Sequence, residues 1–396
     1  MTADHPAEAL QARRFLWLYA LAAAGGAVAY VPFLTILLPM RMTAMAGTGD
    51  VAWLAYATIA GAIAASVANV VFGWASDRTR TREPWIAGGM VGSCVLLAAF
   101  AAVDSITLTI ALVVAWQCTL NMMLAPLAAW AGDCVPDTQK GRLGGLLAFA
   151  PAAGAAAGVL VTLPGLAAPD ARLWLVAGVV ALCVAPVLVL GRPHAFPHLL
   201  RDDARATAEQ RPGAPVVRMW LARLLVQISE AALFAFLYFW FRTIDPAISD
   251  AQVAQVFGAI LLGAVPLALL MGRWADRNGQ PFVPLVLTAG LAALGLLLMA
   301  AAQGLASAMA GYVVFGLSAS VFLSLHSAQT LRVLPRAAHR GRDLGLFNLT
   351  NTGPSLAMPW LALALVPEFG FTGLFVALAS CALGATLLLL WMHRFQ

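Results

Sequence analysis

One acidic residue of the chain stands where an acid is least expected. Glu230 is the only one of the 18 Asp and Glu residues that lies deep within a long apolar run. A charged carboxylate is costly in such surroundings, so the protonated form is favoured over the ionised one. A carboxyl group that is neutral in one conformation and ionised in another can carry a proton. Glu230 is therefore predicted to bind and release a proton.

Two further polar residues share a helical face with Glu230. Arg223, Gln227 and Glu230 follow one another at intervals of four and three residues, the spacing of one face of an α-helix. Arg223 and Glu230 would lie about 10 Å apart along the helix axis, so a direct ion pair between them is not assured. Arg223 could instead bind an anionic group of a substrate. The alternative is a buried polar network that only joins helices.

Polar residues in other apolar runs are candidates for the same site. Gln117 and Asn121 are four residues apart, and His326 and Gln329 are three apart, so each pair lies on one helical face. His326 is predicted to handle a proton together with Glu230. The alternatives are hydrogen bonding between helices for the amide pair and simple packing for the histidine. The residues predicted to contact substrate are Tyr30, Gln117, Asn121, Arg223, Gln227 and Gln329.

The composition places these residues in a membrane. Of the 396 residues, 62% are hydrophobic and only 10% are charged, whereas a soluble domain carries roughly 25% charged residues. A span needs about 20 mainly apolar residues. By that measure the chain has twelve spans, at residues 15–40, 51–75, 85–103, 106–131, 143–167, 172–191, 218–242, 251–273, 282–302, 305–331, 343–366 and 371–392.

The basic residues orient these spans. Nineteen of the 23 Lys and Arg residues lie on the side of the two termini, three lie on the other side, and Arg223 lies within a span. Because basic loops stay in the cytoplasm, both termini are predicted to be cytoplasmic. We expect a multi-pass protein of the plasma membrane, the inner membrane of a bacterium. The net charge of +5 is spread over short loops, so nucleic acid is not an expected partner.

An internal repeat divides the chain in two. The pattern G-x-x-x-D-R occurs at Gly73–Arg78 and again, 199 residues later, at Gly272–Arg277. Gly141-Arg142 recurs in the same way as Gly341-Arg342. Two halves of six spans each form a parallel repeat, whose substrate site is expected between them near the middle of the membrane. The predicted divisions are residues 1–191, a cytoplasmic linker at 192–217 with a short helix near 201–209, and residues 218–396.

These features resemble the major facilitator superfamily, whose members carry the motif G-x-x-x-D-R-x-G-R-R after spans two and eight. The resemblance implies an all-α integral membrane protein with twelve transmembrane helices in two six-helix pseudo-repeats. It also implies that spans one, four, seven and ten line a central cavity, where their polar faces converge. The positions that match the motif are Gly73, Asp77 and Arg78 in the first copy, and Gly272, Asp276, Arg277 and Gly279 in the second.

The resemblance further implies that the two motifs form a cytoplasmic gate. Asp77 and Asp276 are expected to join helix ends across the cytoplasmic face and to hold the outward-facing state. A charge-assisted contact suits this role because it can be made in one state and broken in the other. Arg80 and Arg82 are interpreted as membrane anchors. The predicted gating residues are Gly73, Asp77, Arg78, Arg142, Gly272, Asp276, Arg277 and Arg342.

A more specific string, residues 77–86, resembles the glycoside–pentoside–hexuronide cation symporters and the related sucrose-type transporters. Those families carry a coupling aspartate four residues before the motif glycine, and this chain has Asn69 there. Ala65 stands at the other usual acidic position. Protons are therefore favoured over sodium as the coupling ion.

Several classes of function are not favoured. The sequence contains no G-x-S-x-G, Walker or H-E-x-x-H motif, so we expect neither an enzyme nor a transporter driven directly by ATP. The five cysteines are scattered and most of them fall inside apolar runs, so neither a disulfide framework nor a bound metal is expected. No cofactor is predicted.

The prediction is a secondary transporter that works by alternating access as a monomer in the lipid bilayer. Its substrate would be a small polar solute, sugar-like or glycoside-like or an organic anion, moved by symport with protons. One alternative is a proton-coupled antiporter that exports drugs or other amphipathic compounds. Another is a membrane receptor or scaffold that transports nothing, which the repeated gating motif disfavours.

Overall fold

The computed structural model describes residues 10–46, 50–163, 165–168, 171–200, 214–248, 250–334 and 337–393. Within these ranges every regular element is a helix. Helices are favoured in lipid, because lipid offers no hydrogen-bonding partner and a helix satisfies its backbone N–H and C=O groups internally. The short helix predicted near residues 201–209 lies outside the described residues.

Eight α-helices form the first six spans. The first span begins as α1 and continues through a π-helical turn, Phe33–Leu37, directly after Pro32, whose ring cannot take part in a regular α-helical ladder. The fifth span consists of two short helices in series. The elements are α1 (Arg13–Pro32), α2 (Leu38–Ala46), α3 (Asp50–Thr79), α4 (Glu83–Ala99), α5 (Ile106–Cys134), α6 (Lys140–Leu147), α7 (Phe149–Thr162) and α8 (Ala171–Leu190).

Five longer elements form the last six spans. The final one contains two spans, because Gly370 adopts φ 64° and ψ −171° and breaks the helix into a first part before it and a second part after it. This break separates the predicted spans 343–366 and 371–392. The elements are α9 (Ala214–Ile244), α10 (Asp250–Asn278), α11 (Val283–Ala300), α12 (Leu305–Val333) and α13 (Arg340–His393).

The surface of the helical bundle is that of a membrane protein. Ten helical segments among the described residues are long and apolar enough to cross a bilayer, and α9 and the first part of α13 complete the twelve predicted spans. Large apolar side chains point outward, with Leu182 72% and Leu262 68% exposed. Such exposure is stable only against lipid. The predicted fold class, twelve transmembrane helices without strands, is confirmed for the described part of the chain.

The two sets of six spans meet at one end of the bundle. α3 packs against α13, and α6 packs against both α10 and α12. This end carries both copies of the repeated motif, residues 73–82 and 272–279, and we call it the motif face. The helix ends of the two halves are therefore in contact on this side of the protein.

The packing of α11 on α12 makes a prediction about stability. A Cβ atom at Gly295 would lie 2.5 Å from the backbone nitrogen of Phe315, whereas one at Gly290 on the same helix would lie 3.8 Å from the nearest atom, in Thr386. Gly295→Ala is therefore expected to lower the free energy of unfolding by about 1–3 kcal/mol. Gly290→Ala should be neutral or slightly stabilising, because alanine favours the helix. Thermal unfolding of the purified protein in detergent tests this, and equal midpoints for the two variants would contradict it.

Candidate functional site

On the motif face the two halves approach each other backbone to backbone. A Cβ atom at Gly73 would lie 2.2 Å from the carbonyl oxygen of Gly341, and one at Gly341 would lie 2.4 Å from the carbonyl oxygen of Gly73. No side chain fits at either position unless the helices separate. The two glycines therefore allow α3 and α13 to come into direct contact, and we call this contact the first seam.

Asp77 links the two sides of the first seam through charged hydrogen bonds. Its two carboxylate oxygens accept hydrogen bonds from the backbone N–H groups of Gly341 and Arg342, each at 2.9 Å. These amides belong to the first turn of α13, where the N–H groups have no partner within the helix and the helix dipole favours a negative charge. Asp77 thus caps a helix of the other half.

The second seam repeats this arrangement with the halves exchanged. Gly141 and Gly272 meet in the same way, since a Cβ atom on either would lie within 2.3 Å of the other's carbonyl oxygen. Asp276 accepts hydrogen bonds from the backbone N–H groups of Gly141 at 2.8 Å and Arg142 at 2.7 Å, in the first turn of α6. Both predicted gating aspartates are therefore placed at contacts between the halves.

Two arginines surround the carboxylates of the first seam. Arg82 forms ion pairs with Asp77 and with Asp133, both at 2.8 Å. Arg340, from the other half, forms an ion pair with Asp133 and donates a hydrogen bond to the carbonyl oxygen of Leu199 at 3.1 Å. Arg82 and Arg340 are both buried. Arg82 is therefore a buried part of the first seam, and not the membrane anchor predicted from the sequence.

The second seam uses different side chains. Arg332 lies 3.4 Å from Asp276 and also donates to the carbonyl oxygen of Asp137. Lys140 pairs with Asp137 and donates to the carbonyl oxygen of Leu331 at 3.3 Å, which ties α6 to α12. The 199-residue repeat places Arg332 at the position of Asp133, so the charge is opposite at equivalent points of the two seams.

The remaining predicted gating residues contribute less through their side chains. Arg78 and Arg277 are exposed, and the guanidinium of Arg78 lies 5.7 Å from the ring centre of Trp74. Arg142 and Arg342 supply backbone N–H groups to the seams, while the side chain of Arg342 binds its neighbour Asp343 at 2.8 Å.

Sequence reasoning missed Asp133 and Arg340, both of which lie at the first seam. One signal pointed to Arg340. The repeat aligns it with Lys140, and each of the two residues directly precedes a seam glycine. Asp133 carried no such signal, because its equivalent in the repeat is an arginine.

Midway along α9 a polar cluster joins three helices. Arg223 donates to the hydroxyl of Ser327 on α12 at 3.0 Å and to the side-chain oxygen of Asn351 on α13 at 3.2 Å. Gln227 donates to the same oxygen at 2.7 Å. Within the described part of the chain, no carboxylate lies within ion-pair distance of Arg223. The guanidinium group is thus held by neutral hydrogen-bond acceptors.

Glu230 and Tyr30 lie beside this cluster on opposite halves. Tyr30, on α1, is 39% exposed, and it is within electrostatic range of both Arg223 and Glu230. Glu230 is half-buried and is also within range of Tyr312 on α12. Among the described residues, neither Glu230 nor Tyr30 has a hydrogen-bonding partner. The polar atoms of both side chains are therefore engaged by no described residue.

The predicted pair Gln117 and Asn121 lies between helices of the N-terminal half. The side-chain oxygen of Asn121 accepts a hydrogen bond from Asn69 at 2.7 Å, and its amide donates to the carbonyl oxygen of Gln117 at 2.8 Å. Asn121 is 3% exposed and Gln117 is 7% exposed. These hydrogen bonds join α3 to α5, which is the alternative to substrate contact for this pair.

The predicted pair His326 and Gln329 is also buried. His326 is 0% exposed, with one ring nitrogen 3.0 Å from the carbonyl oxygen of Met219 and the other 3.1 Å from the hydroxyl of Thr330. Its ring packs beside Phe322 at 5.2 Å between centres. Gln329 is 1% exposed, and its side-chain amide has no partner among the described residues. His326 is within electrostatic range of Arg223, but its ring nitrogens are engaged by Met219 and Thr330 and not by the cluster.

Comparison with known proteins finds a family model that matches the second half of the chain. Residues 219–395 match the family model of the Major Facilitator Superfamily. No curated protein sequence matches the chain.

Solved structures match nearly the whole length of the chain. The human organic anion transporter MFSD10 (TETRAN) is 16% identical, with a TM-score of 0.75 over 95% of this chain and 99% of that one. The fucose:proton symporter FucP of E. coli is 14% identical, with a TM-score of 0.74 over 95% and 98%. The proton:xylose symporter XylE, bound to 6-bromo-6-deoxy-D-glucose, is 11% identical, with a TM-score of 0.73 over 96% and 95%. At these identities the likeness shows the fold.

The family match covers the second half of the chain, and the fold of major facilitator transporters extends over almost all of it. The chain is on these grounds a multi-pass membrane protein with the fold of these transporters, and its second half is similar to the Major Facilitator Superfamily.

Proposed function

We propose that the protein is a proton-coupled secondary transporter of a small polar solute, working as a symporter by alternating access between residues 1–191 and 218–396. One observation carries the proposal. Arg223 and Glu230 lie midway along α9, without a charged partner within ion-pair distance among the described residues, at a place where Tyr30 of the other half can reach the same ligand. An acid near the middle of a membrane is costly, and it is typically retained for transport of a substrate or an ion.

In this proposal the four side chains of the centre have separate roles. Arg223 and Gln227 hold hydroxyl or anionic groups of the solute, Tyr30 adds a hydrogen bond from the opposite half, and Glu230 carries the proton. Arg223 lies about 10 Å from Glu230 along the helix axis, so the solute and the proton occupy neighbouring places. The polar character of the cluster favours a sugar-like solute or an organic anion over an amphipathic drug.

In this proposal the two seams are the contacts that form and break during alternating access. In the conformation described, both seams are closed. Opening that face requires Asp77 and Asp276 to leave the helix ends that they cap. Both seams must then open together if each half moves as a rigid body, because each seam joins the same two halves. The motif face is proposed to be the cytoplasmic one.

Glu230 can be tested by separating coupling from binding. Glu230→Gln is expected to abolish accumulation driven by a proton gradient, while exchange of labelled solute across the membrane persists, because the amide keeps the shape but cannot release a proton. The measurement is uptake into proteoliposomes with gradients imposed in either direction, which also distinguishes symport from antiport. Asp104→Asn removes an exposed carboxylate far from the centre and serves as the control. Undiminished accumulation by Glu230→Gln would sink the assignment.

Arg223 can be tested by binding alone. A solute that raises the thermal midpoint of the purified protein is first found by screening a library of sugars, glycosides and organic acids. Arg223→Gln is then expected to weaken its binding about tenfold or more, since a hydrogen bond to a charged group contributes roughly 1.5–3 kcal/mol. Arg14→Gln, at an exposed site at the start of α1, should bind as the unaltered protein does. Equal affinity in all three proteins would contradict a role for Arg223.

The coupled opening of the seams can be tested by amide hydrogen exchange. Asp77→Asn loses the ion pair with Arg82 and one of the two acceptors for α13, so the N–H groups of Gly341 and Arg342 should exchange about tenfold faster or more. If the halves rock as rigid bodies, Gly141 and Arg142 of the distant second seam should lose protection as well.

Arg14→Gln again provides the control, with exchange unchanged at both seams. Faster exchange confined to residues 341–342 would show a local effect and would rule out rigid-body rocking.

A further inference from the structure

A groove opens on the outer surface of the C-terminal half, away from the Arg223 cluster. It lies between α9 and the second part of α13 and has a volume of about 470 Å³, within the roughly 300–1,000 Å³ typical of ligand sites. Its only charged lining residue is Arg218. The full lining is Arg218, Leu225, Gly384, Leu387, Leu388 and Trp391.

The groove runs from the membrane surface inward. Arg218 is four residues from the start of α9, and Trp391 is two residues from the end of α13, so both lie at the level of the motif face. Leu225 and Gly384 are each seven residues further into the membrane, about 10 Å along their helices. The cation therefore stands at the headgroup level, and the apolar walls continue into the hydrocarbon.

The outer wall of the groove is exposed. Leu387 is 65% exposed and Trp391 is 46% exposed. In a membrane-embedded protein such a surface faces lipid. An occupant that enters from this side therefore comes from the bilayer.

Arg218 is oriented to receive an anion. Its guanidinium carbon lies 3.2 Å from the ring centre of Trp391, so the planar group stacks on the indole. Stacking uses the face of the guanidinium and leaves the N–H groups at its edge free to donate. Among the described residues, Arg218 has neither an ion pair nor a hydrogen-bonding partner.

The equivalent place in the N-terminal half is closed. The repeat aligns Leu225 with Gly25 or Gly26 and Arg218 with Leu18 or Tyr19, so the basic residue has no counterpart. A Cβ atom at Gly25 would lie only 2.7 Å from Cys183 on α8, which shows that α1 and α8 are in tight contact there. The groove and Arg218 thus have no counterpart among the described residues of the N-terminal half, and they do not follow from the repeat.

We propose that this groove binds one anionic phospholipid from the leaflet at the motif face. The phosphate accepts hydrogen bonds from Arg218, and one acyl chain lies along Leu225, Gly384 and Leu387. Basic pockets between transmembrane helices recognise anionic headgroups in this way. The site is separate from the proposed transport pathway and does not depend on the proposed function.

Native mass spectrometry of the purified full chain tests the proposal, with dioleoyl phosphatidylglycerol as the anionic probe and dioleoyl phosphatidylcholine as the neutral one. The unaltered protein should retain phosphatidylglycerol in preference. Arg218→Gln should weaken that binding about fivefold, the contribution of one basic residue near an anionic lipid surface, and leave phosphatidylcholine unaffected. Arg14→Gln removes an exposed arginine at the start of α1 and should change nothing.

A second variant fills the groove. Gly384→Leu should reduce binding of both lipids, and the backbone should tolerate it, because a Cβ atom there would lie 3.4 Å from Leu225, an ordinary contact. Gly178→Leu, which adds the same side chain at an open position of α8, is the matched control. Thermal midpoints verify that every variant is folded.

Three results would overturn the proposal. Loss of phosphatidylglycerol to the same degree in Arg14→Gln would indicate diffuse charge attraction. Displacement of the lipid by millimolar inorganic phosphate would indicate a site for a soluble anion. A dimer that Gly384→Leu abolishes would indicate that the groove is occupied by a second copy of the chain.

Discussion

The closed motif face depends on one kind of contact, a carboxylate that caps a helix of the opposite half where two glycine backbones touch. The glycines determine the distance, and the aspartate supplies the attraction. Each carboxylate satisfies two N–H groups that the helix itself leaves unpaired. Such charged hydrogen bonds contribute roughly 1.5–3 kcal/mol each, but burying the charges offsets much of that gain. A contact of this kind is strong enough to hold one conformation and weak enough to release it.

The two seams are balanced in charge by different residues. The first sets Arg82 and Arg340 against Asp77 and Asp133, and the second sets Lys140 and Arg332 against Asp137 and Asp276. Each seam therefore places two cations with two carboxylates, although position 133 and its repeat equivalent 332 have opposite signs. Partial burial of ions is tolerated only where they are paired. The repeat thus preserves neutrality without preserving the residues that provide it.

The features that follow from periodicity could be predicted from the sequence. Hydropathy predicted the twelve spans, and the repeated G-x-x-x-D-R pattern predicted that Asp77 and Asp276 occupy equivalent places. The sequence did not predict which way Asn121 and His326 face. A polar residue in an apolar run faces either a cavity or a neighbouring helix, and a single sequence does not distinguish these. The pairing of Arg82 was missed for a related reason. An arginine after a span has the same pattern whether it meets water or a buried carboxylate from a helix more than 50 residues away.

The glycine contacts also bear on how two copies of one unit can diverge. At Gly73, Gly141, Gly272 and Gly341 any side chain would separate the halves, so these positions leave no room for variation in either copy. The central cluster is under no such restriction, and there the halves differ, with Arg223 and Glu230 on one side and Tyr30 on the other. A duplicated chain of this design can therefore change its central cluster in one copy, while the glycines at which the halves touch stay the same in both.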